Sequence, residues 1–372
     1  MDNVVKRKPS IVMLANGHPP FDTRIFLKEA ISLSRNGFDV SIIVPNKSND
    51  ERDGIKIIAV PLVTKGWQKL IVTPWRIFIK SCKQSKDAIF HIHDSDILIV
   101  GVLLKIIGRR VIYDAHEDTP LQISYQHWLP TIVKIPYRWF YYILEKFCGI
   151  IFNKIIVAEP VIAKYFPARK TILIRNFPIV DAFKRESVRP YMDRAERLVS
   201  VGTLTKVRGL YEMLEGAQKA KEKIDFEFVL GGKFAPAELE QKTKASYSFT
   251  FLSWISHREL VDLLFDSRIG IIIPHPIERY KTNYPVKLFE FMAAGIPVIA
   301  SKEGESAYFV NEAQCGILVD PLNIEEIAKA IVWLFQNTDE AEAMGKRGQK
   351  LIFEKYNWEI ESKQLLEVYK DF

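Results

Sequence analysis

The sequence predicts an α/β protein of two domains, each built on a parallel sheet with helices on both faces. Three observations carry this reading. Short β-branched runs alternate with amphipathic helical patterns along both halves of the chain. A polar, Pro-containing stretch at 176–196 separates the halves as a linker would. The length of 372 residues is too great for one ordinary core and suits two domains of nearly equal size. The expected divisions are a first domain over 1–175, the linker over 176–196, a second domain over 197–355 and a terminal helix over 356–372.

In the first half, strands are expected at 10–15, 40–44, 55–60, 89–93, 110–114 and 154–158. The first of these, Ile11-Val12-Met13-Leu14-Ala15, is continuously apolar, as a strand buried on both faces must be. Helices lie between the strands, notably 23–36, ended by Gly37, and 97–107, ended by Gly108. Glycine ends a helix because it enters the left-handed conformation without a Cβ clash. A second alternation begins at 197–202 and continues through 226–230, 248–252, 269–273, 297–300 and 316–319. The terminal segment, Tyr356-Asn357-Trp358 onward, reads as an amphipathic helix reaching Tyr369. In sheets of this kind ligands bind outside the carboxyl ends of the strands.

Composition bounds the function. Hydrophobic residues make up 48% and charged residues 26%, with no low-complexity segment, so the chain is a folded globular protein. Cys82, Cys148 and Cys315 are odd in number and far apart, which supports neither a disulfide framework nor a cysteine zinc site and fits a reducing cytoplasm. After Lys6-Arg7-Lys8 the apolar run 11–15 is too short for a signal peptide. The stretch 139–158 is broken by Glu145, Lys146, Asn153 and Lys154, and no run approaches the roughly 18 apolar residues of a membrane span.

The net charge of +7 concentrates between Lys65 and Lys86. There Trp75, Phe78, Ile79 and Cys82 form a helical apolar stripe, with Arg76, Lys80 and Lys83 off it. A tryptophan-bearing basic helix of this kind can lie on anionic lipid. A domain helix packed on its own sheet, with a solvated basic face, carries the same pattern.

The most informative stretch is Asn283-Tyr284-Pro285-Val286-Lys287-Leu288-Phe289-Glu290, continued to Ser301. Lys287 and Glu290 lie three positions apart on one face of an apolar helix that starts just after a proline. A helix start of this kind can receive a diphosphate, Lys287 adds charge there, and Glu290 can accept hydrogen bonds from a ribose or sugar diol. A glycine loop, Val201-Gly202-Thr203-Leu204-Thr205-Lys206-Val207-Arg208-Gly209, likewise follows a strand and opens a helix. Neither half has Gly-x-Gly-x-x-Gly after its first strand, and no Walker loop is present, so nicotinamide chemistry and P-loop phosphoryl transfer have no support.

These two motifs, in this order, closely resemble the donor-binding signature of the retaining, nucleotide-sugar-dependent glycosyltransferases of family 4. The resemblance covers nearly the whole chain. It implies a GT-B architecture: two Rossmann-like domains facing each other across a cleft, with a C-terminal helix crossing back to the first domain. It implies a nucleotide diphosphate sugar as donor, no further cofactor and no metal. The implied acceptor is a saccharide or polyprenyl-linked saccharide in surface polysaccharide assembly, and nucleic acid is not an expected partner. The expected location is the cytoplasm or the cytoplasmic face of the inner membrane.

Residue by residue, the resemblance assigns Gly202, Arg208, Gly232, Trp254, Thr282, Asn283, Lys287, Leu288 and Glu290 to the donor, with Glu290 on the nucleotide ribose. His116, Arg208 and Lys287 are the expected catalytic groups: His116 meets the donor sugar, and the two cations neutralise the leaving diphosphate. The sequence departs from the family pattern twice. Thr203 stands where the family has an arginine, leaving Lys287 to supply that charge, and Thr282 stands where the first of two glutamates spaced eight apart is expected. Gly17, Asp22, Arg24 and Asp118 are the acceptor-side candidates, although Asp22 and Asp118 also suit helix caps and Arg24 can pair with Asp22. The Asp94-Ser95-Asp96 motif after His91-Ile92-His93 suggests a metal, but a strand end with a capped helix is the better reading. A weakened GT-B protein that holds a nucleotide sugar for a partner enzyme is the alternative, and Thr282 is its main argument.

Overall fold

The computed structural model describes residues 8–125, 130–185, 189–253 and 255–372, apart from the side chain of Trp67. Two compact units are present: Met1–Asn176 with Glu361–Phe372, and Phe177–Ile360.

The first unit holds eight strands: β1 Ile11–Leu14, β2 Val40–Pro45, β3 Asp50–Arg52, β4 Ile55–Val60, β5 Ile89–Ile92, β6 Arg110–Ala115, β7 Lys154–Val157 and β8 Thr171–Leu173. Their order is β3-β4-β2-β1-β5-β6-β7-β8. All pairings are parallel except β3 with β4. The β3–β4 hairpin turns at Asp53 and Gly54, both at positive φ (53° and 74°), a pair of conformations that Asp-Gly supplies readily. β1 is buried along its whole length, as its unbroken apolar run predicts.

The second unit holds β9 Arg197–Leu204, β10 Glu227–Phe234, β11 Thr250–Leu252, β12 Ile269–Ile272, β13 Val298–Ser301 and β14 Gly316–Val319. These form one parallel sheet in the order β11-β10-β9-β12-β13-β14. Apolar side chains cover both faces: Leu198, Leu230 and Ile271 belong to one core, Val199, Val229 and Ala300 to the other. The alternation follows from the two-residue period of a strand.

Three features depart from the sequence reading or choose between its alternatives. The stretch 176–196 is not a free linker, because Phe177, Val180, Phe183 and Tyr191 are buried in the cores of the second unit. Their spacing among polar residues hid them. The strands β3 and β8 were not anticipated: β3 is Asp-Glu-Arg, fully exposed and held only by its hairpin. Finally, on the helix Gly66–Cys82 the core is met by Thr73, Pro74, Ile77 and Ser81, while Trp75 and Ile79 point outward.

The terminal helix Trp358–Lys370 joins the first unit from Glu361 onward. Leu365, Val368 and Tyr369 are buried there, Glu361 accepts from the backbone N–H of Arg175 (2.8 Å), and Tyr369 Oη lies 2.7 Å from His91 Nδ1. This is the return to the first domain that the resemblance implies. Among the described residues no helix is long and apolar enough to cross a membrane.

Candidate functional site

In the second unit, β9 leads through a short turn, Lys206–Arg208, and left-handed Gly209 into the helix Leu210–Ala220. A Cβ on Gly209 would lie 2.2 Å from the carbonyl oxygen of Ile273, so only glycine allows this turn to sit against the strand end. Gly202 and Gly232 are register partners on β9 and β10, both at positive φ, and a Cβ on Gly232 would lie 2.0 Å from the Gly202 oxygen. The two glycines therefore bring the strand ends together and clear space above them. Into that space turns Arg208, whose Nη1 lies 3.4 Å from where a Gly202 Cβ would stand.

A cavity of about 260 Å³ opens here, lined among others by Thr203, Thr205, Arg208, Tyr280, Asn283 and Lys287. Arg208 Nε donates to the Tyr280 hydroxyl (3.2 Å), and among the described residues no carboxylate pairs with its guanidinium. The helix Val286–Ala293 starts at the cavity with no side-chain cap, so its first turn presents the positive end of the helix dipole. Ser306, in the first turn of the helix Glu305–Ala313, reaches the same cavity. An arginine, a lysine and two helix starts thus line one pocket.

Lys287 Nζ lies 2.8 Å from Glu290 Oε2, and Glu290 is buried. The three-residue spacing read from the sequence is therefore a contact, and it orients the lysine at the cavity wall. Leu288 does not line the cavity: its side chain is wholly buried in the core and its N–H bonds the Pro285 carbonyl at 2.9 Å. The Thr282 hydroxyl turns back to the Glu278 carbonyl (3.3 Å) and is also absent from the lining. Trp254 lies outside the described residues. Tyr280 and Ser306 escaped the sequence reading, since nothing in a tyrosine on a short helix or a serine in a helix's first turn signals a cavity wall.

The first unit presents a different arrangement. Asp22 caps the helix Thr23–Ala30, accepting from the N–H groups of Arg24 (2.7 Å) and Ile25 (3.0 Å). This helix is wound as a π-helix, which brings Arg24 and Glu29, five apart, onto one face (3.2 Å). Arg24 turns inward and grips Asp114 with Nε and Nη2 at 2.7 and 2.8 Å. The pairing of Arg24 with Asp22 is thus replaced by a bidentate pair with Asp114, and Asp22 serves as the helix cap.

Asp118 caps the helix Thr119–Ser124 through Leu121 N–H (2.8 Å) and accepts from the Tyr165 hydroxyl (2.9 Å), so the cap reading holds. Gly17 does permit a close approach, but by Asp94, which takes the N–H groups of Asn16 (2.6 Å) and Gly17 (3.0 Å). Asp94 does not cap the turn that follows it.

His116 Nδ1 lies 3.4 Å from Asp114 Oδ2, and His93 Nδ1 lies 3.2 Å from the same oxygen. Burial opposes charge on all these groups, and the balance differs at each. Burial favours neutral His116, yet the Asp114 carboxylate outweighs it and raises the imidazole. Burial would raise Asp114, but Arg24 and then His116 hold it well below the usual carboxylate range. Glu29 is pushed well above its usual range by burial and by the charge of Asp114, with Arg24 only partly opposing. Burial, reinforced by neighbouring His93, lowers His91. Near the surface, His18 is raised to about 9, because its contact with Asp94 (3.0 Å) outweighs its partial burial.

Glu29, His91, His93 and Asp114 offer ligand atoms within 4.8 Å of one another, a separation that admits a metal ion. The guanidinium of Arg24, however, contacts both carboxylates and supplies the cation of this cluster itself.

Residues 184–351 match the family model of the glycosyl transferases group 1, and this stretch, most of the second unit, belongs to that family. An uncharacterized glycosyltransferase of Methanocaldococcus jannaschii is 24% identical over 182 residues, 48% of this chain and 45% of that protein. The chain spans less than half the length of the curated relatives it matches. Among solved structures, sucrose-phosphate synthase from Thermosynechococcus elongatus superposes with a TM-score of 0.72 at 19% identity, over 98% of this chain and 99% of its own. Anabaena HepE in complex with UDP-glucose gives 0.73 at 14% identity, over 98% and 100%. At such identities the likeness is one of fold, and the fold is GT-B.

Proposed function

We propose that the chain is a retaining glycosyltransferase of family 4, which moves a sugar from a nucleoside diphosphate to a saccharide or polyprenyl-linked saccharide during surface polysaccharide assembly. One observation carries the reading: Arg208, Lys287 and the start of the helix Val286–Ala293 all reach one cavity at the carboxyl end of β9. A diphosphate bound there would meet two cations and a helix dipole aimed at the charge that grows as the glycosidic bond breaks. Those groups are the proposed source of leaving-group stabilisation, with no metal required. Of the fold relatives, the Anabaena protein holds UDP-glucose, which supports a nucleotide sugar as donor.

Within the first unit, Asp114 sets the orientation and charge of the His116 imidazole, the proposed catalytic group. The binding-protein alternative draws on Thr282, whose hydroxyl is turned away from the cavity. Calorimetry with UDP, GDP, ADP, TDP and CMP, repeated on Arg208→Ala, tests the site. Binding of one diphosphate that is lost without Arg208 supports the donor reading; binding of none, or of CMP alone, refutes it. Transfer of the matching sugar then separates the enzyme from the binding protein.

A further inference from the structure

Three helices of the first unit, Gly66–Cys82, Leu98–Ile106 and Thr131–Ile151, pack in sequence against one another. Their inward residues, such as Ile77, Leu104 and Cys148, share one core with Val12, Phe90 and Val111 of the sheet. A surface helix ordinarily turns a polar face to water. Here the outward faces are apolar as well. On Thr131–Ile151, Trp139, Ile143, Phe147 and Ile150 recur at steps of four and three, and Ile143 and Ile150 are 62% and 64% exposed. On Gly66–Cys82, Ile71, Trp75 and Ile79 recur every four residues, with Trp75 57% exposed. Ile99 and Ile106 extend the same character onto the middle helix. Single exposed apolar residues are ordinary, but outward stripes on three adjacent helices mark an interaction surface.

Charge selects the partner. The three helices carry Lys69, Arg76, Lys80, Lys105, Lys134, Arg138 and Lys146. Their single carboxylate, Glu145, is buried and bonded to the Tyr113 hydroxyl (3.0 Å), so it contributes nothing to the surface. A second copy of this face would bring like charges together. An anionic bilayer complements all of it: isoleucine and phenylalanine side chains enter the acyl boundary, tryptophans sit at the interface, and the lysine and arginine stems extend to the phosphates.

We propose that this face docks the protein on an anionic phospholipid bilayer, with the helix Thr131–Ile151 lying in the headgroup region. The proposal gives a lipid-linked acceptor a place to be met, yet it stands on the surface alone and not on the donor site. The full chain would be sedimented with vesicles of phosphatidylcholine, and with vesicles of phosphatidylcholine and phosphatidylglycerol in equal parts. Binding is expected to the mixed vesicles, weaker in salt. It should fall about tenfold in Trp139→Ser/Ile143→Ser and about fivefold for each of Arg138→Gln and Lys146→Gln. Melting temperatures should not change, because these side chains face outward.

Failure to bind either vesicle, or binding indifferent to every variant, would overturn the proposal. So would a dimer in size-exclusion chromatography that Trp139→Ser/Ile143→Ser dissociates. Nucleotide calorimetry on the same variants keeps the two readings apart: unchanged nucleotide binding with lost vesicle binding assigns the effect to the surface alone.

Discussion

Arg24 and Arg208 each follow the first strand of their unit, and the protein uses them in opposite ways. Arg24 is 4% exposed and locked onto Asp114 with Glu29 beside it, so its charge is spent inside the fold. Arg208 donates to the Tyr280 hydroxyl, stands over the same ring and lines a cavity, and among the described residues no carboxylate pairs with it, so its charge remains available to a ligand. The difference teaches that residue type and topological position do not distinguish a structural cation from a binding one. What distinguishes the two arginines is whether carboxylates enclose and bury the charge; Lys287, paired with Glu290 yet still at the cavity wall, shows that one carboxylate alone does not withdraw a cation from a ligand.

Removing the answering carboxylate should therefore give the largest effect. Asp114→Ala leaves Arg24 buried without its bidentate partner and should cost about 3–5 kcal/mol in urea denaturation. A loss below about 1 kcal/mol would show that the cluster is wetter than its burial indicates. Next comes a pH effect in the same unit. Burial pushes the Glu145 carboxyl up to about 7 from 4.5, the Tyr113 hydroxyl only partly opposing. Between those values the folded state holds a proton that the unfolded state has released, so stability falls as pH rises through the window. The total is about 3 kcal/mol at most. Glu145→Gln should flatten that slope; an unchanged slope would assign it to other groups. His18, raised to about 9, extends the decline: its contribution is full below 6.5 and is lost as pH rises through 9.

In the second unit the order of effects should invert. Arg208→Ala should leave stability within about 0.5 kcal/mol but weaken diphosphate binding by about 1.5–3 kcal/mol, the worth of a hydrogen bond to a charged group. A stability loss comparable to that of Asp114→Ala would erase the contrast between the two arginines.

The two-sheet architecture was legible because buried parallel strands write themselves as unbroken apolar runs, as β1 and β12 do. β3 was not, because an exposed Asp-Glu-Arg strand held by a hairpin turn leaves no hydrophobic signature. The placement of Gly202 and Gly232 at paired strand ends, and of Arg208 and Lys287 at a cavity wall, was legible from glycines beside strands and cations beside helix starts. Leu288 was misplaced, since a helix start shows its sequence but not which face turns to the core. The outward stripes on Gly66–Cys82 and Thr131–Ile151 were hidden for the same reason: periodicity gives a stripe, and only packing says which way it faces.

The smallest expected effect lies at Thr282, and it bears on how far the family pattern extends into this chain. Its hydroxyl bonds the Glu278 carbonyl one turn back and does not reach the cavity that Asn283 and Lys287 line. Thr282→Ala should therefore leave nucleotide affinity within about twofold, the ordinary range for a surface change. Thr282→Glu would place a carboxylate where the family carries one, on the short helix Glu278–Thr282 ahead of the uncapped helix start. If that variant gains affinity for the nucleotide sugar over the free nucleotide, the site retains the geometry for a sugar-binding glutamate and the wild-type threonine tunes donor choice. If affinity for both is unchanged, the sugar must be held by other residues, and Ser306 and Asn283, already at the cavity wall, are the next to replace.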